Sequence, residues 1–143
     1  DAVVLNGDEE NKEKINFEIK EINKKIRIFE SEYKIQNIDS FDLKLNYIVF
    51  SGIGSPQNFS KIFKKNNFKI IKEFYFPDHY NYSEKEMKRI LNFASGNNCK
   101  IISTEKDYFR INQKYSGQIS FLKLKLIIKN ENNFLEYMLN GNN

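Results

Sequence analysis

The sequence predicts an α/β protein, a mostly parallel sheet with flanking helices, and three observations carry that prediction. Tyr47-Ile48-Val49-Phe50 is an uninterrupted apolar run, as in a strand buried on both faces. Met87, Ile90, Leu91 and Ala94 have helical spacing and follow Ser83 with Glu86 three residues on, the signature of a capping box. Strand-like and helix-like segments then alternate through the second half of the chain, as right-handed crossovers between parallel strands require.

In chain order, Ala2, Val3, Val4 and Leu5 end in Asn6-Gly7, which reads as a short buried strand and a turn. Ile15, Phe17 and Ile19 alternate with polar residues, as do Ile26 and Ile28, so a β-hairpin turned by residues 21–25 is expected near the N-terminus. Residues 30–45 have weak periodicity and read as a connection. After the strand ending at Phe50 comes the turn Ser51-Gly52-Ile53-Gly54. Ser55 is then placed to N-cap, and Pro56 to start, a helix with Phe59, Ile62 and Phe63 on one face. Residues 68–76 form the next strand, and the helix capped by Ser83 is expected to stop at Gly96. Residues 100–104 are again a strand, leading into the charged turn Glu105-Lys106-Asp107. Leu122, Leu124 and Leu126 alternate with Lys123 and Lys125, as in a half-exposed or edge strand. Residues 131–139 read as a terminal helix and 140–143 as a frayed tail. The chain is read as one segment, with strand, hairpin and connection over 1–45 and an αβ core over 46–139. It shows no internal repeat.

A length of 143 residues suits one domain and is short for a two-domain enzyme. Hydrophobic residues at 40% and aromatics at 15% supply material for a real core. The net charge of +4 and pI near 9.0 raise the question of nucleic acid. Only Arg27, Arg89 and Arg110 carry the guanidinium favoured in base and phosphate recognition, so no nucleic-acid partner is expected and the lysines read as AT-rich codon bias. Cys99 is the only cysteine, which rules out an internal disulfide. No stretch reaches the roughly 18 apolar residues of a membrane span, and the N-terminus lacks a signal-peptide pattern, so the chain is expected to be soluble. It opens at Asp1 directly on an apolar strand, the pattern expected of an excerpt or a processed product.

Ligands of parallel sheets gather at the carboxyl ends of strands, which singles out three turns. Gly52-Ile53-Gly54 opens onto a helix N-terminus, so it is either an anion site or simply a tight turn. It is not a P-loop, because Gly-Lys-Ser/Thr is absent. The second turn, Pro77 to Ser83, holds the only histidine. His79 could exchange a proton with Asp78 orienting it, or both could be turn residues with Tyr80 and Tyr82 packing over the next helix. The third, Thr104-Glu105-Lys106-Asp107 with Arg110, admits phosphate contacts through Lys106 and Arg110 and Mg²⁺ coordination through Glu105 and Asp107. A solvated, self-paired turn is the plainer alternative.

Together, Phe50-Ser51-Gly52-Ile53-Gly54-Ser55-Pro56 with Phe59, Phe76-Pro77-Asp78-His79 with Tyr82-Ser83, and Thr104-Glu105-Lys106-Asp107 with Arg110 resemble the C-terminal signatures of tetraacyldisaccharide 4'-kinases, the lipid A kinase family. Each motif is short, and their order and spacing make the match specific. It covers about residues 1–110, with a divergent tail. The resemblance implies the C-terminal portion of a P-loop-kinase-like protein. That enzyme uses ATP and Mg²⁺ to phosphorylate the 4'-hydroxyl of the lipid A disaccharide 1-phosphate at the cytoplasmic face of the bacterial inner membrane. It implies His79 as an acid–base element with Asp78 positioning it, paired with an aspartate of an N-terminal half. Gly52, Gly54, Thr104, Glu105, Lys106, Asp107 and Arg110 would border the nucleotide cleft. The Walker A loop, the aspartate partner and the membrane-attaching segments belong to that missing half, so the chain alone is not expected to be active. The competing readings are an inactive truncated or split-gene remnant and a small Lys-rich nucleic-acid-binding module.

Overall fold

The computed structural model describes residues 1–7 and 9–140. In chain order the elements are β1 (Ala2–Asn6), α1 (Glu9–Ile22), β2 (Arg27–Ile35), β3 (Asn46–Ser51), α2 (Pro56–Lys65), β4 (Lys69–Tyr75), α3 (Glu84–Gly96), β5 (Lys100–Thr104), α4 (Glu105–Tyr108), β6 (Ile119–Leu122), β7 (Leu124–Ile128) and α5 (Glu131–Asn140). Short 3₁₀ turns lie at Ile38–Ser40 and Gln113–Gln118. The elements fall into two compact units: Asp1–Lys34 with the segment from Leu124 onward, and Ile35–Lys123.

In the first unit β1, β2 and β7 form a three-stranded sheet with β2 in the middle. β1 and β2 are parallel, Ala2 facing Arg27 and Asn6 facing Ser31. A parallel pair needs a crossover, and α1 supplies it, so the hairpin expected here is replaced by a helix. The alternation of Ile15, Phe17 and Ile19 was a coincidence of spacing. The less exposed line of α1 is Lys12, Asn16, Ile19 and Lys20, a helical repeat made mostly of polar residues, while Ile15, Phe17 and Ile22 are exposed. The Glu and Lys content of the segment favours helix, and Lys20 Nζ closes its end by donating to the carbonyl of Ile26 at 2.8 Å. Against β2, Phe29 meets Phe134 and Tyr137 of α5 at centroid distances of 5.0 and 5.6 Å.

The second unit holds a four-stranded parallel sheet in the order β4-β3-β5-β6. The chain runs from β3 outward to β4, then returns across β3 to β5, so the strand order turns back at β3. From Tyr47 to Ser51, β3 is buried throughout, as its apolar run requires. Ile48 and Phe50 share a core cluster with Met87, Ile90 and Ala94 of α3. Tyr47 joins an edge-to-face aromatic chain through Phe68 to Phe63 and Phe59 of α2.

Helix ends correct one further expectation and refine another. Ser55 precedes α2 but its side chain makes no cap hydrogen bond. α3 does stop at Gly96, but the left-handed residue that closes it is Asn98, with φ of 51°, and Asn67, with φ of 60°, closes α2 in the same way. In each case the next amide closes back on the helix, Phe68 N to Phe63 O at 3.1 Å and Cys99 N to Ala94 O at 2.8 Å, which is a Schellman ending with asparagine in glycine's place. The strand expected across Leu122–Leu126 is divided at Lys123. That residue's backbone is taken by Gln36 N and Asn37 Oδ1, so β6 and β7 enter different sheets. The terminal helix forms as α5. The frayed tail expected over 140–143 lies, after Asn140, outside the described residues. No described helix is long and apolar enough to cross a membrane.

Candidate functional site

The carboxyl ends of β3, β4 and β5 converge because the three strands are adjacent and parallel, and the turns after them form two connected groups of side chains.

The inner group is built on Asp107, which is fully buried. Thr104 N-caps α4: its Oγ1 accepts from Asp107 N at 3.1 Å and donates to Asp107 Oδ2 at 2.6 Å. The same Oδ2 accepts from Gly52 N at 2.9 Å. One carboxyl oxygen therefore ties the turn after β3 to the turn after β5. Gly52 is required by space, since a Cβ there would stand 3.0 Å from both Pro77 O and the Tyr82 hydroxyl and 3.3 Å from Asp107 Oδ1. The buried Tyr82 hydroxyl and Asp107 Oδ1 make no hydrogen bond of standard geometry. Burial, with the neighbouring Asp107 carboxylate adding to it, pushes the Tyr82 phenol well up. Tyr82 was expected only to pack over α3. It does pack, against Phe50 and Phe76 at 5.2 and 5.0 Å, but its polar end reaches the Gly52–Asp107 bond. No periodicity in the sequence marks that second role.

The outer group is Asp78, His79, Lys106 and Arg110. His79 has φ of 61°, an uncommon conformation for a residue with a side chain. Asp78 Oδ1 supports it by accepting His79 N at 2.9 Å and also accepts Lys106 Nζ at 3.1 Å. That Lys106 hydrogen bond is the main cause holding the Asp78 carboxyl below its usual range, with the His79 amide adding to it. Arg110 Nη2 lies 2.7 Å from His79 Nδ1, and Lys106 Nζ lies 3.2 Å from Nε2. Arg110 Nη1 is buried with no hydrogen-bond partner. The four side chains come from two turns 27 or more residues apart, so only the sheet brings them together.

Asp78, His79, Lys106 and Arg110 thus form one cluster, and Gly52, Thr104 and Asp107 a second. Gly54 is exposed, and a Cβ placed on it would lie 4.0 Å from Asp78 Oδ2. Glu105 is exposed at the first position of α4. Two of the open alternatives narrow. The Gly52 amide is occupied by Asp107 and is not free for an anion, and Asp107 is committed to Gly52 and Thr104. Among the described residues no group of three or more His, Cys, Asp or Glu is placed to hold a metal ion.

The turn before α3 is secured separately. Ser83 and Glu86 form the full capping box, Ser83 N donating to Glu86 Oε2 at 2.8 Å and Glu86 N to Ser83 Oγ at 3.3 Å. Tyr80 donates its hydroxyl to Glu86 Oε1. That bond first, and Ser83 second, hold the Glu86 carboxyl below its ordinary range.

A family model described as tetraacyldisaccharide-1-P 4'-kinase (LpxK) matches residues 1–142. A tetraacyldisaccharide 4'-kinase of Pelagibacter ubique (strain HTCC1062) is 41% identical over 140 residues, covering 98% of this chain and 45% of that protein. Its counterpart in Rickettsia bellii (strain OSU 85-389) is 40% identical over 91 residues, 64% of this chain and 28% of that protein. A crystal structure of LpxK from Aquifex aeolicus, described as an "apo" form in complex with ATP, aligns with a TM-score of 0.54 at 18% identity, over 97% of this chain and 51% of that one. That likeness concerns the fold alone. The chain spans about half, or less, of the length of these relatives.

Proposed function

The chain belongs to the tetraacyldisaccharide-1-P 4'-kinase family, and from that membership we propose that it forms part of an enzyme that transfers the γ-phosphate of ATP to the 4'-hydroxyl of the lipid A disaccharide 1-phosphate. The observation that carries the reading is the outer cluster. One histidine, held in an uncommon backbone conformation, sits between Lys106 and Arg110 at the carboxyl ends of parallel strands. Phosphoryl transfer depends on positioning and on offsetting charge more than on covalent chemistry, and such a cluster supplies both. His79 handles the proton at the attacking hydroxyl together with a carboxylate from outside this chain, and Asp78 restrains its backbone. Lys106 and Arg110 offset negative charge beside it. Thr104, Asp107 and Gly52 keep the two turns in register, and Gly54 and Glu105 border the opening.

The chain has no Gly-Lys-Ser/Thr loop, so the cradle for the ATP phosphates, and the Mg²⁺ with it, come from outside these residues. The working location is the cytoplasmic face of the bacterial inner membrane, with attachment through segments outside this chain.

The test is kinetic. In the complete enzyme, His79→Ala is expected to lower kcat by about 10² to 10⁴, the range for losing a general acid–base group, with a smaller effect on the KM for ATP. An unchanged kcat would return His79 to a turn residue. Residues 1–143 alone, incubated with radiolabelled ATP, Mg²⁺ and acceptor lipid, are expected to give no product. Turnover by them alone would overturn the assignment of the phosphate cradle to another segment.

A further inference from the structure

We infer that Arg110 is a positioning residue for His79: it holds the imidazole in the tautomer with the hydrogen on Nε2, so that the ring's other edge offers a donor. The use of that donor rests on the kinase reading, whereas the tautomer rests on geometry alone.

A neutral imidazole has one donor nitrogen and one acceptor nitrogen, and here two cations compete for the acceptor. Arg110 Nη2 stands 2.7 Å from Nδ1 and Lys106 Nζ 3.2 Å from Nε2. Neither cation can accept a hydrogen bond, so only one of these contacts is a hydrogen bond at a time. The Arg110 contact is the shorter by half an ångström. Lys106, moreover, has another acceptor in Asp78 Oδ1 at 3.1 Å. Arg110 therefore takes the lone pair on Nδ1, and Nε2 carries the hydrogen. The backbone helps to fix the ring, because the left-handed turn at His79 is braced by Asp78 accepting its amide.

The Nε2 hydrogen then faces Lys106, which cannot receive it, and Asp78 Oδ2, which at 3.7 Å is beyond hydrogen-bond range. It remains available to an oxygen acceptor such as a carboxylate. To act as a base itself, His79 must first lose Arg110 or change tautomer. Arg110 thus decides in which direction the proton at this site can move.

His79 is the only histidine of the chain, so the ring nitrogens of a ¹⁵N-labelled sample give one pair of signals that needs no assignment by mutation. At about pH 8, where an ordinary imidazole is neutral, two-bond ¹H–¹⁵N spectra of residues 1–143 are expected to show unprotonated Nδ1 and protonated Nε2. Arg110→Met should bring the two shifts toward those of an unconstrained ring, and Arg110→Lys, which restores one donor, should recover part of the separation. Unconstrained shifts in the wild-type chain would overturn the inference, as would the reverse tautomer. So would unchanged histidine shifts in an Arg110→Met chain whose backbone amides are those of the fold. Should Arg110→Met fail to fold, the wild-type pattern and Arg110→Lys decide. In the complete enzyme Arg110→Met should lower kcat by about 10-fold or more, with partial rescue by Arg110→Lys. The expected tautomer combined with a kinetically silent His79→Ala would remove the kinase role and leave the positioning intact.

Discussion

Replacing Asp107 tests whether one buried carboxyl group holds the site together. Asp107 is fully buried, and its Oδ2 accepts Gly52 N at 2.9 Å and the Thr104 hydroxyl at 2.6 Å. In Asp107→Ala the hydroxyl can rotate to another acceptor, but the Gly52 amide is fixed in a buried backbone and has nothing to turn to. An orphaned buried donor costs about 1–3 kcal/mol, and the vacated volume adds to it, so a loss of about 2–4 kcal/mol is expected. Asp107→Asn keeps an oxygen for the Gly52 amide and can turn its NH₂ toward the Tyr82 hydroxyl. Its cost should stay near 1 kcal/mol. Urea denaturation followed by far-UV circular dichroism, with m-values compared to confirm the same unfolding transition, measures both. An alanine variant within 1 kcal/mol of wild type would refute the argument. An asparagine variant as damaging as alanine would show that charge, and not hydrogen-bond acceptance, is what matters.

Gly52→Ala should cost about 1–3 kcal/mol in the same assay, because the new methyl would meet the Pro77 carbonyl and the Tyr82 hydroxyl at 3.0 Å and the former belongs to the backbone; wild-type stability would show that the turn has room to move. Ser83→Ala should cost about 1 kcal/mol with kcat of the complete enzyme unchanged, since the capping box accounts for the residue, and a large kcat loss at equal stability would contradict that. The Glu86 carboxyl is depressed in the fold by Tyr80 and Ser83, so its contribution is fully present above its unfolded value of about 4.3 and is lost as the pH falls through its lower folded value. Tyr80→Phe should move that loss to higher pH in thermal melts taken between neutral and acid conditions. Identical acid profiles for the two chains would remove Tyr80 from the cap.

How much of this was legible beforehand follows from the range of the interactions concerned. β3 could be read because a strand buried on both faces is apolar without interruption, and Tyr47 to Phe50 are all buried. The capping box could be read because both of its bonds join residues three apart. α1 was misread because its inward line is polar: Lys12 is buried beside Glu9 and Glu30 at 3.7 and 3.8 Å, which hides the helical period from any count of apolar residues. The two asparagine helix endings were missed because glycine is the usual left-handed residue and asparagine the less common one.

The sequence by itself determined that β3, β4 and β5 would lie in a parallel sheet with helices between them and pointed to the turns that follow these strands, because periodicity, capping and turn residues act over a few positions. Its motif order also determined the family. Only the tertiary structure decided what each charged residue in those turns does. Asp107 and Lys106 are neighbours in sequence, yet one is buried against Gly52, 55 residues away, and the other lies open beside His79, 27 residues away. Which side of a four-residue helix faces the sheet separates them, and that orientation is set by packing between elements, which local sequence does not encode.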